Sequence, residues 1–180
     1  MSRQCCERAD ATGIAASIIE KDYYVTEFLR KLTSYQPDIV FKGGTSLSKC
    51  YKLIQRFSED IDLNVEDRPS EEQRKALKRN IVAVIDDLDL SLSNAEEIRS
   101  RRDYNRYIIN YPALQGAAYL KQQLIVETVV SMRAFPNHPM DASSLIYDFL
   151  KDTGRDDIIR EYHLQPFSVN VQAAERTLLD

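Results

Sequence analysis

Two short groups of residues in this chain have the types and spacing for chemistry. Gly43, Gly44 and Thr45 stand at the end of an apolar run, and Asp60 and Asp62 stand two apart in the next alternating stretch. Glycines let a backbone turn tightly and approach a ligand with no Cβ in the way. A helix that starts there presents free N–H groups and a partial positive charge, the ingredients of an anion site. Thr45 adds a hydroxyl, Ser46 follows it into the helix, and Lys49 lies one turn further on as a point charge for a phosphate. The same residues also fit a tight strand-to-helix turn that binds nothing.

The aspartates narrow the choice. Strand residues at i and i+2 share a face, and adjacent carboxylates repel unless something positive sits between them. Ile61 and Leu63 fall on the other face, where a core would take them. Hard divalent cations accept oxygen ligands and bridge to substrate phosphates. The competing reading is a pair of solvated aspartates on an edge strand. A further acid, Glu127, interrupts the segment LKQQLIVETVV. That segment is apolar on both faces, as an interior strand is, so a glutamate there is out of place.

Elements must hold these groups. Apolar spacing of three and four predicts a helix over Ile14–Leu32. A strand follows over Asp38–Lys42, then a helix over Ser46–Gln55 and a strand over Ile61–Val65. Pro69, Glu71 and Glu72 mark the start of a helix reaching about Leu88. Strands are expected around Leu90–Arg99, Tyr104–Tyr111 and Lys121–Ser131, and a turn at Asn137–Pro139. Helices are expected over Ser143–Lys151 and Asp156–Tyr162, an extended piece over Phe167–Val171, and a helix starting at Ala173. That last helix begins just as the sequence ends, which suggests that a C-terminal part is missing.

The bulk properties exclude some classes. The chain has 180 residues, 43% of them hydrophobic and 29% charged, enough for one core. Its formal net charge of −4 does not announce a nucleic-acid binder, although a local basic patch can still serve one. The cysteines, Cys5, Cys6 and Cys50, lack metal-finger spacing and suit a reducing cytoplasm rather than a disulfide scaffold. No apolar run reaches the roughly 20 residues of a membrane span, and the N-terminus shows no signal-peptide core.

A strand ending in Gly-Gly-Thr, a helix, then Asp-x-Asp on the next strand resembles the DNA polymerase β-like nucleotidyltransferase superfamily. The wording FKGGTSLSKCYKLIQRFSEDIDL, with IEKDYYVTEFLRKL before it and AERTLLD at the end, is similar to the AbiEii family of nucleotidyltransferase toxins. The resemblance implies an α/β fold with a mixed sheet of four to five strands flanked by helices, and a truncated C-terminal helical lobe. The parts would be an N-terminal helix over about 14–34, a catalytic core over about 38–131, and the start of the helical region over about 141–180. It implies that Gly43, Gly44 and Thr45 hold a triphosphate, that Asp60 and Asp62 bind metal, and that Glu127 is the third carboxylate. Glu127 can equally be a structural residue paired to an arginine. It also implies two Mg²⁺ ions, with Mn²⁺ as an alternative, an NTP substrate, and a cognate antitoxin. The activity would be that of the toxin of a type IV abortive-infection system, adding nucleotides to an RNA such as tRNA. Transfer to a protein or small molecule, or a nucleotide-binding module without catalysis, remain as alternatives.

Other residues have two readings each. Arg56 can meet a phosphate or pair with Glu59 or Asp60. Arg99, Arg101, Arg102 and Arg106 form the densest basic patch, for RNA or triphosphate, or simply a solvated face. Tyr104, Tyr107 and Tyr111 can stack on a base or sit in a core. Glu20, Lys21 and Asp22 read as cap or surface residues, and His138 and His163 as surface residues.

Overall fold

The computed structural model describes residues 2–54, 60–112, 122–131 and 133–178. Its centre is a seven-stranded mixed sheet. The strands are β1 (Ile39–Lys42), β2 (Asp60–Val65), β3 (Ser91–Leu92), β4 (Tyr104–Asn110), β5 (Gln123–Val129), β6 (Asn137–Ala142) and β7 (Phe167–Gln172). Their order across the sheet is β3-β4-β5-β2-β1-β7-β6. β2 runs antiparallel to β1 and parallel to β5, so the strand bearing Asp60 and Asp62 is the middle one, not an edge.

The helices are α1 (Ser2–Thr12), α2 (Ala16–Tyr35), α3 (Gly43–Lys49), α4 (Glu71–Asp87), α5 (Leu145–Asp152), α6 (Asp156–Glu161) and α7 (Ala174–Thr177). α2 and α4 cover one sheet face. Val25, Phe28, Leu29 and Leu32 of α2, and Leu77, Ile81, Val84 and Ile85 of α4, join Phe41, Ile61, Leu63, Leu124 and Val126 in the main core. Burial of each such side chain stabilises the fold by about 1.5–3 kcal/mol. A second core gathers Cys5, Ile19, Ile146, Leu150, Ile158 and Ile159 from α1, α2, α5 and α6. α2 therefore serves both clusters. α4 starts with a complete capping box, Ser70 and Gln73 bonding each other's backbone N–H.

Several expected elements differ. The sheet has seven strands rather than four to five. α3 begins at Gly43, not Ser46, because Gly43 takes φ 74 and turns the chain straight from β1 into the helix. It also stops early, at Lys49, with Lys52 left-handed at φ 55 and the Leu53 N–H bonding back to the Leu47 carbonyl at 3.0 Å. Gln55, its expected end, lies outside the described residues. The strand expected over Leu90–Arg99 shrinks to Ser91–Leu92. There the Asn94 side-chain amide replaces further ladder bonds, donating to the Arg106 carbonyl at 2.8 Å and accepting from the Ile108 N–H at 3.0 Å. The expected turn at Asn137–Pro139 is instead β6, an edge strand where a proline can be accommodated.

Candidate active site

Strand register builds the site. Lys42 of β1 lies opposite Asp62 of β2, Asp62 lies beside Glu127 of β5, and Glu127 lies opposite Arg106 of β4. Four charges thus form one row across four strands, cation, acid, acid, cation. Asp60 stands two residues from Asp62 on the same face, beside Ile125. The other face of β2 buries Ile61, Leu63 and Val65 in the core. Alternation in β2 is therefore what raises the two aspartates to the open face.

The acids press on one another. Burial, then the nearby Glu127 and Asp60, push the Asp62 carboxyl above its ordinary range, while Lys42 pulls it down. Glu127 accepts a hydrogen bond from the Tyr104 hydroxyl at 2.8 Å, and its carboxylate lies 3.5 Å from Arg106 Nε. The arginine-paired reading of Glu127 thus holds together with its place beside Asp62. Gly43 packs directly under Asp62: a Cβ there would meet Asp62 Oδ2 at 2.0 Å. Thr45 Oγ1 donates to the Asp60 carbonyl at 2.5 Å, tying α3 to β2.

Gly43, Thr45, Asp60, Asp62, Glu127 and Arg106 are therefore brought together, with Gly44 in the first turn of α3. Two expected contributors point elsewhere. The Lys49 ammonium is buried behind α3, 2.5 Å from Asp22 Oδ1 and 2.6 Å from Thr26 Oγ1. It does not reach toward the carboxylates, because its stem leaves α3 on the side facing α2. The Ser46 side chain is fully buried and donates to the Gly43 carbonyl at 2.8 Å, leaving only its backbone facing the turn. Arg56 and Glu59 lie outside the described residues. Tyr107 and Tyr111 are core residues, Tyr111 stacking on Tyr24, whereas Tyr104 is 47% exposed. Arg99, Arg101 and Arg102 lie in the connection leading into β4, all three exposed. His138 sits on edge strand β6, 3.4 Å from the Tyr51 hydroxyl.

Reading the sequence missed two groups. Lys42 closes an apolar strand, and only the β1–β2 register sets it against Asp62. Glu20, Lys21 and Asp22, read as cap or surface residues, are all buried. A triad of charges inside an apolar helical pattern was the available signal.

Among the described residues, no group of three or more His, Cys, Asp or Glu side chains is placed to hold a metal ion. The residues that could take a cation such as Mg²⁺, which keeps water and phosphate ligands and needs only one or two carboxylates, are the open pair Asp60 and Asp62. A cavity of about 800 Å³ lies on the other side of α3, lined by Asp22, Lys49, Lys52, Ser143 and Asp148 among others. It does not include the carboxylate row.

In structure, the chain is similar to MenT4, a nucleotidyltransferase toxin from Mycobacterium tuberculosis H37Rv, with a TM-score of 0.59 and 18% identity over 98% of this chain. It spans 56% of the length of that protein. A looser similarity, with a TM-score of 0.45 and 18% identity, covers 67% of this chain and 48% of a protein from H. pylori assigned as a nucleotidyltransferase. No curated protein matches the chain in sequence. Residues 27–180 match the family described as nucleotidyl transferase AbiEii toxin, type IV TA system. The glycine turn, the aspartate pair and β5 all fall within that match, and the chain belongs to the AbiEii nucleotidyltransferase toxin family.

Proposed function

We propose that the protein transfers a nucleotide from an NTP to an RNA acceptor such as tRNA, as the toxin of a type IV toxin–antitoxin pair. The observation that carries this reading is the row Lys42–Asp62–Glu127–Arg106, with Asp60 on the same face and Gly43 packed under Asp62. Three carboxylates on one face cost stability unless a cation joins them. Membership of a nucleotidyltransferase toxin family supports a catalytic reason for that cost.

Asp60 and Asp62 would hold the metal, Mg²⁺ or alternatively Mn²⁺. Bound there, it would neutralise phosphate charge and lower the pKa of the attacking hydroxyl. The backbone of Gly43, Gly44, Thr45 and Ser46 would face the triphosphate, approached closely because Gly43 has no Cβ. Arg106 and Lys42 flank the acids and would balance charge on the phosphates. Glu127, oriented by the Tyr104 hydroxyl and Arg106, would accept the proton of the acceptor hydroxyl. That oxygen then bonds to the α-phosphorus, and the bond to the bridging oxygen breaks to release pyrophosphate. Positioning and charge neutralisation supply most of the rate. No helix among the described residues is long and apolar enough to cross a membrane. An antitoxin encoded with the protein would restrain it.

The test incubates the full-length protein with Mg²⁺, labelled NTPs and total tRNA. Label is expected on RNA and is lost in Asp60→Asn and Asp62→Asn. No transfer from any of the four nucleotides overturns the reading, and label on protein instead of RNA reassigns the acceptor.

A further inference from the structure

The two ends of α3 are fixed by different chemistry. Its N-terminal end touches both β2 aspartates, through Gly43 against Asp62 and through the Thr45 hydroxyl on the Asp60 carbonyl. Its C-terminal end is held by Lys49, whose ammonium is buried and lies 2.5 Å from Asp22 Oδ1 and 2.6 Å from Thr26 Oγ1, both on α2. The second Asp22 oxygen accepts the Leu145 N–H at 2.7 Å, at the first turn of α5. One carboxylate thus joins α2, α3 and α5.

We propose that Asp22 and Lys49 are a positioning pair for nucleotide transfer, setting the near end of α3 against Asp60 and Asp62. The proposal rests on the transferase reading above and concerns the same site. α3 has seven residues, about 10 Å of helix, too short to fix its own direction. Its direction comes from its two anchors. A tilt of about 10° about the Lys49 end moves the Gly43 end by about 2 Å. Misplacement by about 1 Å suffices to cost about a hundredfold in rate. A buried ion pair with both carboxylate oxygens engaged is stiff, because either partner alone would be a stranded charge. An apolar contact could fill this volume, but it would not fix the helix direction as a charge pair with further hydrogen bonds to the Thr26 hydroxyl, the Ser143 carbonyl and the Leu145 N–H does.

The experiment uses the full-length protein and measures Mg²⁺–NTP affinity at equilibrium, KM and kcat for transfer, and Tm. The double variant Asp22→Asn/Lys49→Met removes both charges and leaves none stranded. It is expected to fold while NTP affinity falls about tenfold and kcat falls further, the signature of a displaced turn. Lys49→Arg keeps the charge but lengthens the reach. It is expected to keep Tm near the parent value with a smaller loss of NTP affinity, and it is the deciding variant if the double variant fails to fold. A lowered Tm with unchanged NTP affinity and unchanged KM and kcat in whichever variant folds overturns the proposal and makes the pair a stability element only. A parent protein that binds no Mg²⁺–NTP overturns the transferase reading itself, and this proposal with it.

Discussion

The two ends of α3 treat charge in opposite ways. Behind the helix, Asp22 and Lys49 meet as a buried opposite pair, each hydrogen-bonded beyond the pair. In front of it, Asp62 and Glu127 are neighbours of like sign, with Asp60 two residues away. The rear pair contributes to holding the fold, and losing one partner strands the other. The front group opposes the fold, since burial and its acidic neighbours make the Asp62 carboxylate costly to keep ionised. Opposite charges that hold the fold and like charges that oppose it are separated by a helix of seven residues.

The comparison breaks most sharply at the aspartates. Asp62→Asn is expected to lower nucleotide transfer by about a thousandfold or more, because on the proposed reading it removes a metal ligand. The same change should raise Tm in metal-free buffer, because burial and the neighbouring acids make the fold prefer Asp62 neutral. Asp22→Asn at the rear should do the reverse to stability, costing about 3 kcal/mol by leaving Lys49 buried without its partner. Thermal melts of both variants check this. A lower Tm for Asp62→Asn would mean that the front acids are structural.

A smaller effect is expected at Gly43, where front-end packing can be separated from backbone strain. A Cβ at Gly43 would meet Asp62 Oδ2 at 2.0 Å, and φ is 74. Gly13 has a similar φ of 70, but a Cβ there meets nothing within 4 Å. Gly13→Ala should cost about 1 kcal/mol, the left-handed strain alone. Gly43→Ala should cost about 2–3 kcal/mol and reduce transfer by more than tenfold, since the aspartate must also move. Urea melts of the pair measure the difference, and equal costs would show that Asp62 yields freely.

The front of α3 was legible in the sequence and the rear was not, for a physical reason. Gly43, Gly44, Asp60 and Asp62 are close in sequence, and period-two alternation alone places both acids on one face. Glu127 was visible as an acid inside an apolar strand. Lys49 has the spacing of a phosphate ligand, yet its partners Asp22 and Thr26 lie 27 and 23 residues away. No local pattern tells a helix lysine which of two neighbours it will meet. Lys42 and Arg106 entered the row only through strand register. β6 hid because His138 and Pro139 read as a turn, and only pairing with β7 makes that segment a strand.

The smallest expected effect tests whether the rear of α3 matters as a region or only through its buried pair. Lys52 lies three residues beyond Lys49 and is also ion-paired, 3.0 Å from Asp148 Oδ2, but its side chain is 51% exposed. Water and salt screen such a pair to about 0–1 kcal/mol. Lys52 also has the left-handed φ of 55, a strain that glycine relieves. In Lys52→Gly the lost pair and the relieved strain oppose each other, so stability should change by about 0.5 kcal/mol or less, with Mg²⁺–NTP affinity unchanged. Urea melts and equilibrium nucleotide binding read both quantities. If Lys52→Gly instead weakens nucleotide binding as strongly as the Asp22→Asn/Lys49→Met variant, then the path of the whole chain behind α3 sets the front-end geometry, and the buried pair has no special part in it.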